Sequence, residues 1–230
     1  MTVERHLTTT STVLRTGRQM ACAILAGGKA TRYGGAAKGM LLLADGVTII
    51  GRILAEVAAS GVSDVVIVAN DPDAYRACGR RIIKDARPGM GPLGGIEAAL
   101  LHFAGTYENV LILPCDLPDI TRGEIAALRD AHVAHGARVT VAQTPDSLWH
   151  PLCVVVHSAV GPAIAAALDT DIRSVYRVWR EANPFVVRFS DARPFLNVNT
   201  PADMATWQRE AMQTSDVNGT QEQSVWRRCG

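Results

Sequence analysis

Arg32 and Lys38 sit in a stretch that also holds glycines at 27, 28, 34 and 35, directly after the apolar run Ala21–Ala26. Glycine lets the backbone adopt conformations that other residues avoid, so successive N–H groups can converge on an anion. Cationic side chains in the same loop make phosphate the fitting anion. Lys38, at the end of the loop just before apolar residues resume, is placed to contact it, with Arg32 nearby. The loop is not a P-loop, because the residue five beyond Gly27 is Arg32 and no Gly-Lys-Ser/Thr follows. Nor does it have the G-x-G-x-x-G spacing of a dinucleotide fingerprint.

Asp116 follows the apolar run Asn109–Leu113 by a few residues. The next helix has its own capping residue, Thr121, so Asp116 is not needed as a cap. A carboxylate at a strand end opposite a phosphate loop suits Mg2+, which binds through one or two carboxylates plus phosphate oxygens. Asn70 and Asp85 also lie just past apolar runs, where turn formation is the common role of both residue types. The cluster Gly89-Met90-Gly91-Pro92-Leu93-Gly94-Gly95 either starts a helix or admits a flat ring or ribose close to the backbone. Asn197 and Asn199 flank Val198 and face one side if the segment is extended. His150, between Trp149 and Pro151, can contact a ring or simply pack. No Ser-His-Asp or Cys-His spacing supports a nucleophilic hydrolase.

Apolar runs alternate with amphipathic segments, which implies an α/β fold with a mainly parallel sheet. Strands are expected over 21–26, 64–69, 81–84, 109–113, 138–142, 152–156 and 185–189, with 146–151 joining the fifth to the sixth. Met40–Ala44 reads as a short strand or a helix entry. Thr48 caps a helix running to about Ser60, and Gly61 ends it. Asp71 and Pro72 suit an N-cap and a first helical position. The glycine cluster opens a helix over 96–103, and Thr121-x-x-Glu124 is a capping box. Further helices are expected over 158–168 and 174–182, and a last one is capped by Thr200 with Pro201 at its start. In such folds ligands gather at the carboxyl ends of strands, near the point where strand order reverses. Asn70, Asp85, Asp116 and the glycine loop all fall at such ends.

With 230 residues, 48% of them hydrophobic, the chain can bury a real core in one domain. A net charge of +1 creates no global field for nucleic acid or anionic membrane, so attraction for an anionic ligand must be local. No apolar run approaches the length of a membrane span. Residues 1–19 read as a disordered leader without a secretory signal, 20–212 as the domain and 213–230 as a disordered tail. Five cysteines, odd in number and without C-x-x-C spacing, argue against a disulfide framework or zinc site and for a reducing, cytoplasmic setting.

The segments LAGGKATRYGGAAKGMLLL, NDPDAY, GPLGGIEAAL, PCDLPDI and FLNVNTPADM, in that order, resemble the molybdenum-cofactor guanylyltransferase family from about Ala21 to Trp207. The resemblance implies a three-layer α/β/α Rossmann-like nucleotidyltransferase fold. It implies transfer of GMP from GTP to molybdopterin with release of pyrophosphate, assisted by Mg2+. By motif, Leu25, Ala26, Gly27 and Gly28 would line the nucleotide, as would Pro92 and Leu93. Lys38 and Arg32 would serve the phosphates, and Asn70 and Asp85 the nucleotide. Asp116 would bind the metal, and Asn197 and Asn199 would lie on the molybdopterin side. The family often has an acidic residue before the loop lysine, where this chain has Ala37. Expected partners, besides GTP and molybdopterin, are other proteins of cofactor synthesis and recipient enzymes, with the chain itself a monomer. The alternatives are a cytidylyltransferase for the same cofactor, a sugar-phosphate-type nucleotidyltransferase and a non-catalytic nucleotide-binding module.

Overall fold

The structure, a computed structural model, describes residues 20–27, 37–200 and 202–210. The expectations for Gly28, Arg32 and Pro201, and for the leader and the tail, lie outside those residues. Seven strands form one sheet in the order β3-β2-β1-β4-β6-β5-β7. They are β1 (Met20–Leu25), β2 (Val65–Val68), β3 (Arg81–Ile83), β4 (Asn109–Pro114), β5 (Val139–Gln143), β6 (Trp149–His157) and β7 (Phe185–Arg188). Neighbouring strands are parallel except at β6, which runs antiparallel to both β4 and β5.

The helices are α1 (Ile49–Ala59), α2 (Gly91–Phe103), α3 (Arg122–His135), α4 (Gly161–Asp169), α5 (Val175–Glu181) and α6 (202–210). Strand side chains alternate between two cores, as a period of two requires. In β1, Cys22 and Ile24 pack with α1, α3 and Trp207 of α6, whereas Ala21, Ala23 and Leu25 pack with α2, α4 and α5. The result is a three-layer α/β/α architecture. Local chemistry sets the helix starts. Thr48 accepts a hydrogen bond from Gly51 N–H, and the Thr121/Glu124 capping box is complete. Val175, Val178 and Trp179 of α5 point inward, and Trp179 Nε1 donates to the Pro151 carbonyl at 2.8 Å.

Four expectations about local structure change. The helix expected to begin at Ile96 begins at Gly91. A Cβ on Gly95 would lie 3.3 Å from both Asp85 Oδ1 and Leu25 Cδ2, so this turn packs too closely for a larger residue. The segment after Asp71-Pro72 is a 3-10 turn over Asp73–Cys78 with Pro72 as its cap. Met40–Ala44 forms neither a strand nor a helix; Lys38–Met40 is a 3-10 turn, and Leu42 makes one bridge to Thr48. Finally, β6 starts at Trp149 rather than Leu152. The pairing jumps from Val141↔Val154 to Ala142↔His150, and this bulge accommodates Pro151, which has no N–H for a ladder.

α3 is fastened to the sheet by a buried imidazole. His132 is 2% exposed, with Nδ1 2.9 Å from Thr140 Oγ1 and Nε2 2.9 Å from Asn109 Oδ1. Burial first, and then the nearby His157, pushes its pKa from 6.5 down to about 4. The folded state therefore binds this proton less readily than the unfolded chain does. Its contribution is complete above pH 6.5 and is lost as pH falls from there towards 4, by about 3 kcal/mol. Urea unfolding at pH 7.5 and pH 4.5 measures the loss, and a His132→Gln variant will lack this increment.

Candidate active site

The chain runs β1, β2, β3 outwards and then crosses over through α2 to β4, on the other side of β1. The reversal point therefore lies between β1 and β4, and their carboxyl ends open a crevice there. Leu25 pairs with Val68 on one side and Pro114 on the other. Ala26 N–H donates to the Val68 carbonyl (2.8 Å) and Cys115 N–H to the Leu25 carbonyl (3.1 Å). Leu25, Ala26 and Gly27 thus lie between the ends of β2 and β4, with Gly27 exposed.

Parallel register brings Asn70 and Asp85 together. Val68 pairs with Ile83, and each polar residue stands two positions further on. Asn70 Nδ2 donates to Asp85 Oδ2 at 2.8 Å, and Asp85 N–H donates back to Asn70 Oδ1 at 3.3 Å. Asp85 Oδ1 faces the first turn of α2 at Gly95. Pro92 is exposed on that turn, whereas Leu93 is fully buried in the core beneath it. A second brace holds the turn from outside. The Arg87 guanidinium lies 3.0 Å from the buried Glu97 carboxylate of α2 and also pairs with Asp169 of α4.

On the other side of the crevice, four expected residues form one cluster. Asn197 Nδ2 donates to Asp116 Oδ1 at 2.6 Å, and Lys38 Nζ donates to Asn199 Oδ1 at 2.7 Å. Asp116 Oδ2 faces Lys38 Nζ across 3.9 Å. The Asp116 carboxyl is pushed up from its usual value by burial, against the opposing pull of Lys38 and the Asn197 hydrogen bond. Lys38 is held by its neighbour Gly39, whose added Cβ would come within 3.1 Å of Tyr75 and 3.2 Å of Cys115. Val198 is buried opposite the two asparagines, and its N–H donates to the Asp116 carbonyl at 2.9 Å.

Two aspartates missed from the sequence fix this return of the chain. Asp203 Oδ2 accepts from the N–H groups of Asn199 and Thr200 (2.8 Å each), while Thr200 Oγ1 accepts from Asp203 N–H. That is a capping box with Asp in place of Glu, and Thr200-x-x-Asp203 carried the signal. Asp119 Oδ2 accepts from Trp207 Nε1 (2.8 Å) and pairs with Arg193 (3.0 Å), which ties α6 to the loop carrying Asp116. Nothing in the local sequence marks Asp119.

A family model described as a MobA-like NTP transferase domain matches residues 22–184. The chain belongs to that family. The molybdenum cofactor guanylyltransferase of Vibrio campbellii is 31% identical over 188 residues, covering 81% of this chain and 94% of that protein. The protein of the same name from Burkholderia vietnamiensis is 34% identical over 197 residues, with the same coverage. The crystal structure of molybdopterin-guanine dinucleotide biosynthesis protein A from Archaeoglobus fulgidus superposes with a TM-score of 0.67. It covers 84% of this chain and 100% of that one at 21% identity, which establishes a shared fold. In this MobA-like domain the described cysteines 22, 78, 115 and 153 are free thiols, and burial pushes the Cys115 thiol up to about 12. Among the described residues no three His, Cys, Asp or Glu side chains converge as a metal centre, and no helix is long and apolar enough to cross a membrane.

Proposed function

We propose that this MobA-like domain transfers GMP from GTP to molybdopterin, forming the guanine dinucleotide cofactor and releasing pyrophosphate. The observation that carries the reading is the Asp116–Lys38–Asn197–Asn199 cluster at the reversal point of the sheet. Both named relatives carry that activity in their names. Leu25, Ala26 and Gly27 line the nucleotide with their backbone, beside Asn70, Asp85 and the exposed Pro92. Gly28 and Arg32 stand in the same glycine-rich stretch of sequence as Lys38 and would serve the same phosphates. Asn197 and Asn199 stand on the acceptor side.

A phosphate monoester oxygen is already ionised near neutral pH, so its attack on the α-phosphorus needs no general base. The protein's work is to align that oxygen with the leaving pyrophosphate and to neutralise developing charge. Lys38 supplies a fixed positive charge, oriented by Asn199. The donor set fits Mg2+ held jointly by protein and substrate, since one largely sheltered carboxylate, Asp116, faces the crevice and among the described residues no group of three His, Cys, Asp or Glu side chains surrounds it. When bound, the ion would neutralise phosphate charge next to Asp116. Reduced thiols in the core suit a cytoplasmic enzyme, which we take to act as a monomer that receives its acceptor from, and passes its product to, other proteins.

Pyrophosphate release from each nucleoside triphosphate with Mg2+, with and without molybdopterin, tests the proposal. Release will require GTP and molybdopterin together. Preference for CTP would select a cytidylyltransferase instead, and release independent of the acceptor would sink the reading.

A further inference from the structure

His150 stands in neither the nucleotide half of the crevice nor the Asp116 cluster. It is the second residue of β6, a strand that pairs with β4 as far as Ile112↔Val154. Residues of β6 before Leu152 therefore extend past the carboxyl end of β4, on the side away from Asn70 and Asp85. The bulge at Pro151 sets the direction of the His150 side chain. Its ring lies 4.9 Å from that of Phe195, inclined by 31°, and Phe195 is two residues before Asn197. The imidazole thus packs, through Phe195, on the segment that leads into Asn197 of the Asp116 cluster.

Its hydrogen bonds define its tautomer. Thr144 Oγ1 lies 2.7 Å from Asp146 Oδ1 and 2.9 Å from His150 Nε2. The carboxylate is ionised at neutral pH, its pKa held below the usual range first by this Thr144 hydrogen bond, so it can only accept. The single Thr144 hydroxyl proton therefore goes to Asp146, and Thr144 Oγ1 must accept from His150 Nε2–H. Nδ1 is left as a bare lone pair, and among the described residues nothing donates to it. Burial lowers the His150 pKa, which keeps the ring neutral. A neutral lone pair repels a phosphate and accepts from an N–H donor. A reduced pterin carries several such N–H groups along the edge of its ring, and the partly exposed His150 imidazole, backed by the buried Phe195, can meet them there.

We propose that His150 recognises the acceptor of the transfer, with Nδ1 taking a hydrogen bond from an N–H of its pterin ring, and that Asp146 and Thr144 are positioning residues that hold the ring in this tautomer. This rests on the reading of the site as a molybdopterin guanylyltransferase. It adds a residue that reads the acceptor's ring, in contrast to the groups that serve its phosphate.

The test compares His150→Gln, which keeps a donor for Thr144 but loses the Nδ1 acceptor, with His150→Asn, whose side-chain oxygen can occupy the Nδ1 position. In steady-state turnover of the full chain, H150Q will raise KM for molybdopterin about ten- to hundred-fold and leave KM for GTP unchanged. H150N will recover part of that loss. Thr144→Val supplies a readout independent of activity: 15N NMR of the wild type will show Nε2 protonated and Nδ1 bare, and T144V will mix the two tautomers. Equal KM values for molybdopterin in wild type and H150Q would overturn the assignment, as would a rise in KM for GTP alone or a wild-type spectrum with Nδ1 protonated. If the wild type itself turns over a different nucleotide or acceptor, the functional reading fails. The tautomer measurement still stands or falls on its own.

Discussion

Replacing Asp116 with asparagine will abolish nucleotide transfer, by about 10²–10³-fold or more, and leave the protein at least as stable as before. The substitution keeps shape and keeps an oxygen for Asn197 Nδ2, which now donates to Asp116 Oδ1 at 2.6 Å. It removes the charge that opposes Lys38 and would hold a divalent cation. Stability moves the other way because burial raises this carboxyl's pKa above its unfolded value. The folded state binds the proton more readily, so the ionised form is a net cost at neutral pH. That cost shrinks as pH falls through the folded pKa. The Tm of D116N at pH 7.5 should therefore match or exceed that of the wild type, and the gap should close in acid. Pyrophosphate release and thermal unfolding measured on one preparation check both halves. Normal turnover by D116N would remove Asp116 from the reaction.

Lys38→Met will cost about 10²–10³-fold in kcat/KM for GTP, with little change in stability. Methionine fills most of the volume of the stem, so the turn packed through Gly39 keeps its shape. The ammonium is lost, and with it the 2.7 Å hydrogen bond to Asn199 and the positive charge facing Asp116. The ion pair itself contributes at most about 1 kcal/mol, because its partners stand 3.9 Å apart and the lysine side chain is 27% exposed. Lys38→Arg retains charge but spreads it over a planar fork, so it should restore only part of the rate. Steady-state kinetics against GTP separate these outcomes. A methionine variant with unaltered kcat/KM would show that the phosphates are bound elsewhere.

The caps show how far local chemistry reaches. Thr48, Thr121 with Glu124, and Thr200 start their helices where their side chains can satisfy the first free N–H groups. Asn197 and Asn199 could be assigned to one side from spacing alone, and the two do converge on Asp116 and Lys38. Other features had no local signature. Glycines usually disfavour helix interiors, yet Gly94 and Gly95 lie inside α2, where an added Cβ would come within 3.1–3.3 Å of Met90, Arg87, Asp85 and Leu25 and force them to shift. Tertiary packing overrides propensity there. The bulge that aims His150 lies in the hairpin of β5 with β6, and the place of β6 beside β4 depends on pairing with a strand from an earlier part of the chain.

The sequence by itself determined the α/β alternation, most strand positions, the caps and the identity of the polar residues waiting at strand ends. Those follow from periodicity and from hydrogen bonds made within a few residues. Only the tertiary structure decided which of those residues meet. Asn70 reaches Asp85 through the β2–β3 register, and Asp116 meets Lys38, Asn197 and Asn199 because Asp119 and Asp203 fasten the returning chain. Such partners are up to 161 positions apart, and their meeting is set by strand order and core packing, which no local pattern encodes.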